Sequence, residues 1–411
     1  MKALVLNCGS STVKFQLIET DQDLISQNQD RILAKGIVEK IGTTEAIISY
    51  QHGDEKPVKS VEEVLDHKTA VAKCLALLTS GDRPAIRDES DIGVVGHRVV
   101  HGGERFSSST LMDESVVAQI RDCIDLAPLH NPHNLKGYQV CAQLLPDVPQ
   151  VAVFDTSFHQ TMPPSAYIYG LPFVLYRRHQ IRRYGFHGTS HRFVAYRFRQ
   201  IFGLNREDAN LITCHLGNGA SICAIQAGRS VDTSMGFTPL EGLVMGSRSG
   251  DLDPSVILHV MAKEELSINE ATTLLNKHSG LYGISGISSD MRELMEEYRA
   301  GNDRAKLAID VFCYRIKKYI GGYAGVLGRV DGLIFTGGIG ENAPLVRAQS
   351  SEGLGFFGIE VDSALNEATV RKEGEISPPS SKTRVYVIPT NEELLIARDA
   401  VRAVLGVPQP A

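Results

Sequence analysis

Two stretches of the chain share one plan, and no other feature constrains the fold as much. LVLNCGSSTVKFQLI (residues 4–18) and LITCHLGNGASICAI (residues 211–225) each read as an apolar strand, a turn of glycines and small polar residues, and a second strand. In the first, Val13, Phe15 and Leu17 alternate with Lys14 and Gln16, the two-residue period of a half-buried strand. In the second, a strand ends at His215, Gly217 to Ser221 turn, and Ile222 to Ile225 resume a strand. A supersecondary unit met twice predicts an α/β chain of two duplicated halves with a cleft between them. At 411 residues the length suits two domains whose cores need no disulfides.

The turns themselves allow more than one reading. Gly9-Ser10-Ser11-Thr12 offers backbone N–H groups and hydroxyls, with Lys14 beside it. That could hold a phosphate, but the turn taken alone favours an unliganded hairpin with a solvated lysine. Leu333 to Phe335 run into Gly337-Gly338-Ile339-Gly340 and then Glu341-Asn342: a strand, a glycine turn and a helix. This is a common nucleotide setting. Neither GxGxxG nor GxxxxGK[ST] is present, however, so a plain strand-to-helix turn explains the stretch as well.

Polar residues gather past strand ends, where α/β sheets place their chemistry. Ile92 to Val100 is a strand that carries His97 and Arg98 and runs into His101-Gly102-Gly103. A helix from about Asn134 follows a Pro-bearing turn with His130 and His133. Val151 to Phe154 is a short buried strand, and Asp155 after it is either a helix N-cap or a site residue. Arg182-Arg183-Tyr184-Gly185-Phe186-His187 leads to a helix over 192–200 with Ser190 as its N-cap. Arg248 stands in a Gly/Ser loop before Asp253-Pro254, an N-cap and first helical residue. Further helices are expected over 268–277, 291–300 and 304–327, and a last strand over 385–388. Thr390 and Glu393 fit a capping box opening the final helix.

Composition removes several classes. A net charge of −6 without a basic stripe argues against a nucleic-acid binder. No apolar run reaches membrane-spanning length, and no signal-peptide pattern opens the chain. The seven cysteines are odd in number, scattered and free of CxxC, as reduced, buried thiols of a cytoplasmic protein would be. His97/His101 and His187/His191 have HxxxH spacing, but Arg98, Arg182 and Arg183 beside them would repel a zinc ion. No GxSxG elbow supports serine hydrolysis. Phosphoryl transfer asks for cations, an imidazole or amide donor, and oxygens for a metal ion. The loops offer each of these in Arg98, Arg248, His187, Asn7, Asp155 and Glu392.

The motifs NCGSSTVKF, GHRVVHGG, APLHNP, VAVFDTSFHQTMP, RRYGFHGTSH, HLGNGAS, VDTSMGFTPLEGLVMGSRSGDLDP, FTGGIGEN and IPTNEELLIARD resemble the acetate/propionate kinase family, from Leu4 to about Asp399. The resemblance implies an actin-like (ribonuclease H-like) α/β fold of two duplicated domains with an ATP cleft between them. Residues 1–155 with 393–411 would form the first domain, and 156–392 the second, carrying the nucleotide site. Asn7 and Glu392 would hold Mg²⁺, with Mn²⁺ able to substitute. Arg98 and Arg248 would hold the carboxylate and the moving phosphoryl group, Asp155 would organise them, and His187 would bond the γ-phosphoryl. His215, Leu216, Gly217, Asn218 and Gly219 would lie on the β/γ-phosphates of ATP, with Ser10, Thr12 and Lys14 on the opposing loop. Asp290, Met291 and Arg292, with Gly337, Gly338, Ile339, Gly340 and Asn342, would frame the adenosine. Val100, Leu129, Phe186 and Pro239 would form a methyl pocket. Thr12 departs from the Ser common in the family but keeps its hydroxyl, and Met291 replaces a Phe or Cys against the base.

The implied reaction is ATP + acetate to ADP + acetyl phosphate by in-line attack, with no general base because the carboxylate is already ionised. Closure of the domains would exclude water. Relatives that prefer propionate tend to carry Ala at the Val100 position, so Val100 points to acetate, with propionate the alternative. The resemblance also implies a homodimer. Two other classes stay open on the sequence. An actin-like ATPase or binding module has no use for two arginines around a small carboxylate, and a sugar or polyol kinase would need Asp155 as base.

Overall fold

The computed structural model describes residues 1–81, 84–128 and 130–409. The chain divides into two compact units, Met1–Phe158 with residues 391–409, and His159–Thr390. The divisions lie a few residues from 155/156 and 392/393, and Glu392 falls in the first unit.

Among the described residues the first unit is built on eight strands: β1 (Lys2–Cys8), β2 (Thr12–Glu19), β3 (Arg31–Glu39), β4 (Thr43–His52), β5 (Val58–Val64), β6 (Ile92–Val99), β7 (Thr110–Leu111) and β8 (Gln150–Phe154). Their order in the sheet is β5-β4-β3-β2-β1-β6-β8-β7. β1 to β5 pair antiparallel in succession, whereas β6 runs parallel to β1 and β8 parallel to β6. Alternation along β1 feeds two cores. Leu4, Leu6 and Cys8 join Val13, Phe15 and Leu17, covered by Ala70, Val71 and Leu75 of helix His67–Thr79 and Cys141 of helix Asn131–Leu144. Ala3 and Val5 join Val94, Val151 and Val153 under Ile396, Ala397, Ala400 and Val401 of helix Glu392–Leu405. A strand apolar on both faces needs cover on both, and helices from distant parts of the chain supply it. The helix expected from about Asn134 begins at Asn131, with Pro132 in its first turn, where a missing N–H costs nothing.

The second unit has six strands: β9 (Asn210–Leu216), β10 (Ala220–Gln226), β11 (Arg229–Thr233), β12 (Gly332–Thr336), β13 (Gly374–Glu375) and β14 (Arg384–Val387). Their order is β11-β10-β9-β12-β14-β13. β9, β10 and β11 form an antiparallel meander, β12 is parallel to β9, and β14 is parallel to β12. β1-β2-β3 with β6 and β8 repeat that plan strand for strand. The duplication therefore extends from the two hairpins to the whole central sheet, each hairpin being the first strand pair of its unit. Helix Asp303–Leu327 packs on β9 and β10, and helix Gly188–Phe202 on β9 and β12.

Candidate active site

In the first unit β1, β6 and β8 are parallel neighbours, so their carboxyl ends emerge together. Asp155 continues the β6–β8 ladder, its N–H donating to the Val99 carbonyl at 3.0 Å. Its carboxylate then meets Arg98 side-on: Nε donates to Oδ1 at 2.9 Å and Nη2 to Oδ2 at 2.7 Å. Asp155 is thus committed to Arg98 and caps no helix. The Nη1 of Arg98 lies 3.7 Å from Glu392. Burial disfavours the Arg98 cation, but Asp155 and Glu392 outweigh it and raise its pKa. The Glu392 carboxyl is raised by burial against the pull of Arg98. Asn7 sits near the end of β1, in register with exposed Lys14 on β2. Ser10 is exposed in the turn between them, which Gly9 closes by donating to the Thr12 carbonyl at 2.8 Å. Half-buried Val100 stands two residues beyond Arg98, just past the end of β6. Leu129 lies outside the described residues.

Three side chains to which the sequence does not draw attention lace these loops. Asn134 accepts from the Val100 N–H at 3.1 Å and donates to the Cys8 carbonyl at 2.9 Å, joining the ends of β1 and β6. Asn131 accepts from the His101 N–H at 3.1 Å and donates to the His101 carbonyl at 2.9 Å. Thr156 accepts from the Gly102 N–H at 3.1 Å. The available signal was the spacing: two asparagines three apart in a helix, where Asn is a weak former, share one face and bond backbone elsewhere. His97 and His101 are structural here. Burial pushes them down to about 4 and about 3, and His97 bonds Gln150 at 2.7 Å.

In the second unit His187 (φ 56°) is itself the N-cap residue of helix Gly188–Phe202. The helix expected over 192–200 starts earlier, and Ser190 lies inside it instead of capping it. The Ser190 hydroxyl is engaged elsewhere, 2.7 Å from His215 Nδ1 and 2.8 Å from the Thr390 hydroxyl. Thr390 is therefore not the cap of the final helix. Asn391 takes that place, accepting from the Leu394 N–H at 3.0 Å, so the Thr390/Glu393 box does not form.

His187 and His191 stand four residues apart, one helical turn, and both reach Ser221 Oγ, at 2.9 Å and 2.8 Å. His187 also stacks on His215, ring centroids 4.2 Å apart. A Cβ placed on Gly219 would lie 3.5 Å from His187 Nε2 and 3.6 Å from Arg248 Nη1, so the glycine keeps open a space that both groups border. Arg248 donates to the Pro239 carbonyl at 3.2 Å. Among the described residues no carboxylate lies within ion-pair distance of Arg248, and burial lowers its pKa. A half-buried cation with no counter-charge makes a receptor for an anion. Asn218 and Gly246 pack closely, the Gly246 N–H donating to the Asn218 carbonyl at 3.0 Å, which ties the loop of β9–β10 to the loop of Arg248. Phe186 is buried, its carbonyl accepting from His159 Nε2 at 3.0 Å.

The glycine stretch after β12 differs from expectation in one respect: no turn intervenes. Gly337 (φ 76°) enters helix Gly337–Asn342 directly, and a Cβ there would meet the Leu216 backbone at 2.8 Å. Only a glycine lets β12 end so close to the end of β9. Apart from its chain neighbours and its own helix backbone, nothing among the described residues lies within 4 Å of where Gly338 would carry a Cβ. Asn342 donates back to the Gly338 carbonyl at 2.8 Å. Glu341 accepts from the N–H groups of Gly337 (3.0 Å) and Thr390 (3.2 Å), and buried Arg347 donates to the Gly340 carbonyl at 2.8 Å. Asp290 caps helix Met291–Arg299 and pairs with Arg292 at 2.6 Å, with Met291 buried beneath.

Against known proteins, a family model described as the Acetokinase family matches residues 2–398. An acetate kinase of Chloroherpeton thalassium is 52% identical, covering 98% of this chain and 99% of its own length. The chain belongs to the acetokinase family. Among solved structures, acetate kinase of Porphyromonas gingivalis has a TM-score of 0.93 at 46% identity, covering 98% of this chain and 99% of that one. A propionate kinase from Francisella tularensis has a TM-score of 0.89 at 41% identity, covering 97% and 98%.

In this member of the acetokinase family the expected site residues fall into two groups. Asn7, Ser10, Thr12, Lys14, Arg98, Val100, Asp155 and Glu392 belong to the first unit, and the rest of the described ones to the second. Arg98, Asp155 and Glu392 are brought into contact, as are His187, His215 and, around Gly219, Arg248. Asp290 and Arg292 engage each other.

Proposed function

We propose that the chain catalyses reversible transfer of the γ-phosphoryl group of ATP to acetate, giving ADP and acetyl phosphate. The observation that carries this reading is Arg248: a half-buried guanidinium that among the described residues has only carbonyl and thioether partners, bordering the same space as His187. A phosphoryl group in flight spreads negative charge over its outer oxygens, and positioned cations and N–H donors stabilise it. Arg98 would bind the acetate carboxylate, its orientation fixed because Asp155 holds the Nε and Nη2 edge. A carboxylate oxygen forms the new bond to phosphorus while the bond to the bridging oxygen breaks and ADP leaves. Acetate, like side-chain carboxylic acids with pKa values of about 4, is ionised near neutrality, so Asp155 need not act as a base. Gly217 to Gly219 with His215 would hold the phosphates, and the glycines at 337–340 with Asp290 to Arg292 would hold the nucleoside.

Asn7 and Glu392 fit a magnesium ion. Mg²⁺ takes one or two protein oxygens and completes its shell with water and phosphate, and Glu392 is a half-buried carboxylate on which Arg98 acts against the burial that raises its pKa. Bound there with ATP, magnesium would offset the phosphate charge. The helix Pro254–Lys263 supports a homodimer: none of its residues is buried, yet Val256 and Leu258 are 50% and 67% exposed. No helix among the described residues is long and apolar enough to cross a membrane; all seven cysteines are free and buried, and a cytoplasmic setting suits such thiols.

The test is a hydroxylamine trap with Mg-ATP and acetate, propionate, butyrate, glycerol or no acceptor. Hydroxamate should form with acetate and less with propionate. ADP released at one rate whatever the acceptor, without hydroxamate, would replace this reading with a plain ATPase.

A further inference from the structure

We infer that Thr213, His191 and Ser221 form a hydrogen-bond chain of fixed direction that keeps the ring proton of His187 on Nε2. The inference rests on the phosphoryl-transfer reading of the same site. Thr213 Oγ1 lies 2.7 Å from His191 Nδ1, His191 Nε2 lies 2.8 Å from Ser221 Oγ, and Ser221 Oγ lies 2.9 Å from His187 Nδ1. Thr213, His191 and Ser221 are wholly buried.

Two directions are open to such a chain. In one, the Thr213 hydroxyl donates to His191 Nδ1, His191 Nε2–H donates to Ser221, and the Ser221 hydroxyl donates to His187 Nδ1. In the other every donor is reversed, and the Thr213 hydroxyl proton has no acceptor. Among the described residues, His191 Nδ1 is the hydrogen-bond partner of Thr213 Oγ1 and there is no second. A buried hydroxyl proton left unpaired is costly, so the first direction prevails. His191 is neutral, because burial and the neighbouring His159 and His215 hold its pKa well below the usual range. It therefore has one ring proton to give and cannot serve both directions at once.

With Nδ1 accepting from Ser221, a neutral His187 carries its proton on Nε2. That nitrogen borders the space kept open by Gly219, alongside Arg248. A second proton, on Nδ1, would have to displace that of Ser221. The guanidinium of Arg248 across the Gly219 space also opposes a positive ring. His187 then serves as a neutral N–H donor, and the positive charge at the site comes from arginine. Thr213, His191 and Ser221 are positioning residues, acting through His187.

The test is a long-range ¹H–¹⁵N correlation spectrum of the full chain with ¹⁵N-labelled histidine, the His187 signals assigned by their loss in His187→Gln. In the unsubstituted protein Nε2 should be protonated and Nδ1 not, from pH 8 to pH 6. Thr213→Val removes the hydroxyl but keeps the shape. It should mix the two tautomers and lower kcat by about 10–100-fold, the usual effect of losing an outer partner that orients a histidine, with KM for ATP moving less. Thr213→Ser should restore both readouts. A proton on Nδ1 in the unsubstituted protein, or an unmoved tautomer in Thr213→Val, overturns the proposal. Should Thr213→Val fail to fold, the unsubstituted spectrum still decides. Because the spectrum needs no turnover, a wrong tautomer in a protein that forms hydroxamate sinks this inference alone. The expected tautomer without hydroxamate sinks the phosphoryl-transfer reading alone.

Discussion

Arg98 and Arg248 are the same residue type in opposite electrostatic settings. Arg98 is clamped on one edge by Asp155 at 2.7 Å and 2.9 Å and flanked by Glu392, and its pKa is raised. Among the described residues the side chain of Arg248 has carbonyl and thioether hydrogen-bond partners only, and burial lowers its pKa. The first is oriented by charge the protein already contains; the second leaves charge to be supplied. A cation whose partner is internal suits a ligand that must be held in one direction. A cation without one suits a group whose negative charge the reaction itself redistributes.

Substitution should separate the two. Arg248→Ala is expected to lower kcat by a factor on the order of 10³, the range for a lost phosphoryl-stabilising arginine, while the melting temperature holds or rises because a desolvated cation is gone. Arg98→Ala should raise KM for acetate and also destabilise the first unit by roughly 3 kcal/mol, since nearly inaccessible Asp155 (2% exposed) loses its partner. Thermal melts beside steady-state kinetics check both, and equal loss of stability in the two variants would erase the contrast.

A smaller effect is common to both units. Unfolded histidine titrates near 6.5, but burial pushes His97 and His159 to about 4 and His101 to about 3. As pH falls below the unfolded value the unfolded chain binds more protons than the folded one, so stability drops. Each of these buried rings should cost on the order of 2 kcal/mol by pH 5. Melts at pH 7, 6 and 5 measure this; a rise in stability on acidification would mean the rings are charged in the fold. The smallest expected change concerns substrate length: Val100→Ala should raise the propionate-to-acetate ratio of kcat/KM about tenfold, and an unchanged ratio removes Val100 from the methyl pocket.

Much of the architecture was legible because strand alternation and glycine turns are local. The hairpins at 4–18 and 211–225 announced the duplication, and the repeated sheet order bears it out. Helix starts were harder to read. Ser190 and Thr390 look like caps, but their hydroxyls bond each other, a pairing 200 residues apart in sequence, and that of Ser190 also meets His215. Arg98 and Asp155 could be named as a cluster, yet their bidentate contact follows from β6 and β8 being parallel neighbours, a long-range fact. Asn131 and Asn134 were marked by their spacing alone, and Thr213 and Ser221 carried no signal as chemistry, because each acts on another side chain. The HxxxH spacing of His187 and His191 was visible; it places both rings on one serine.

The helix Glu392–Leu405 closes the second core of the first unit with Ile396, Ala397, Ala400 and Val401, although β1 of that core begins at Lys2. During synthesis, then, β1, β6 and β8 emerge long before the residues that cover one of their faces. A nascent chain stopped short of Glu392 would contain every strand of the second sheet but leave Ala3, Val5, Val94, Val151 and Val153 bare. The unit begun first is the one finished last, and its exposed face is what a chaperone would meet on the ribosome.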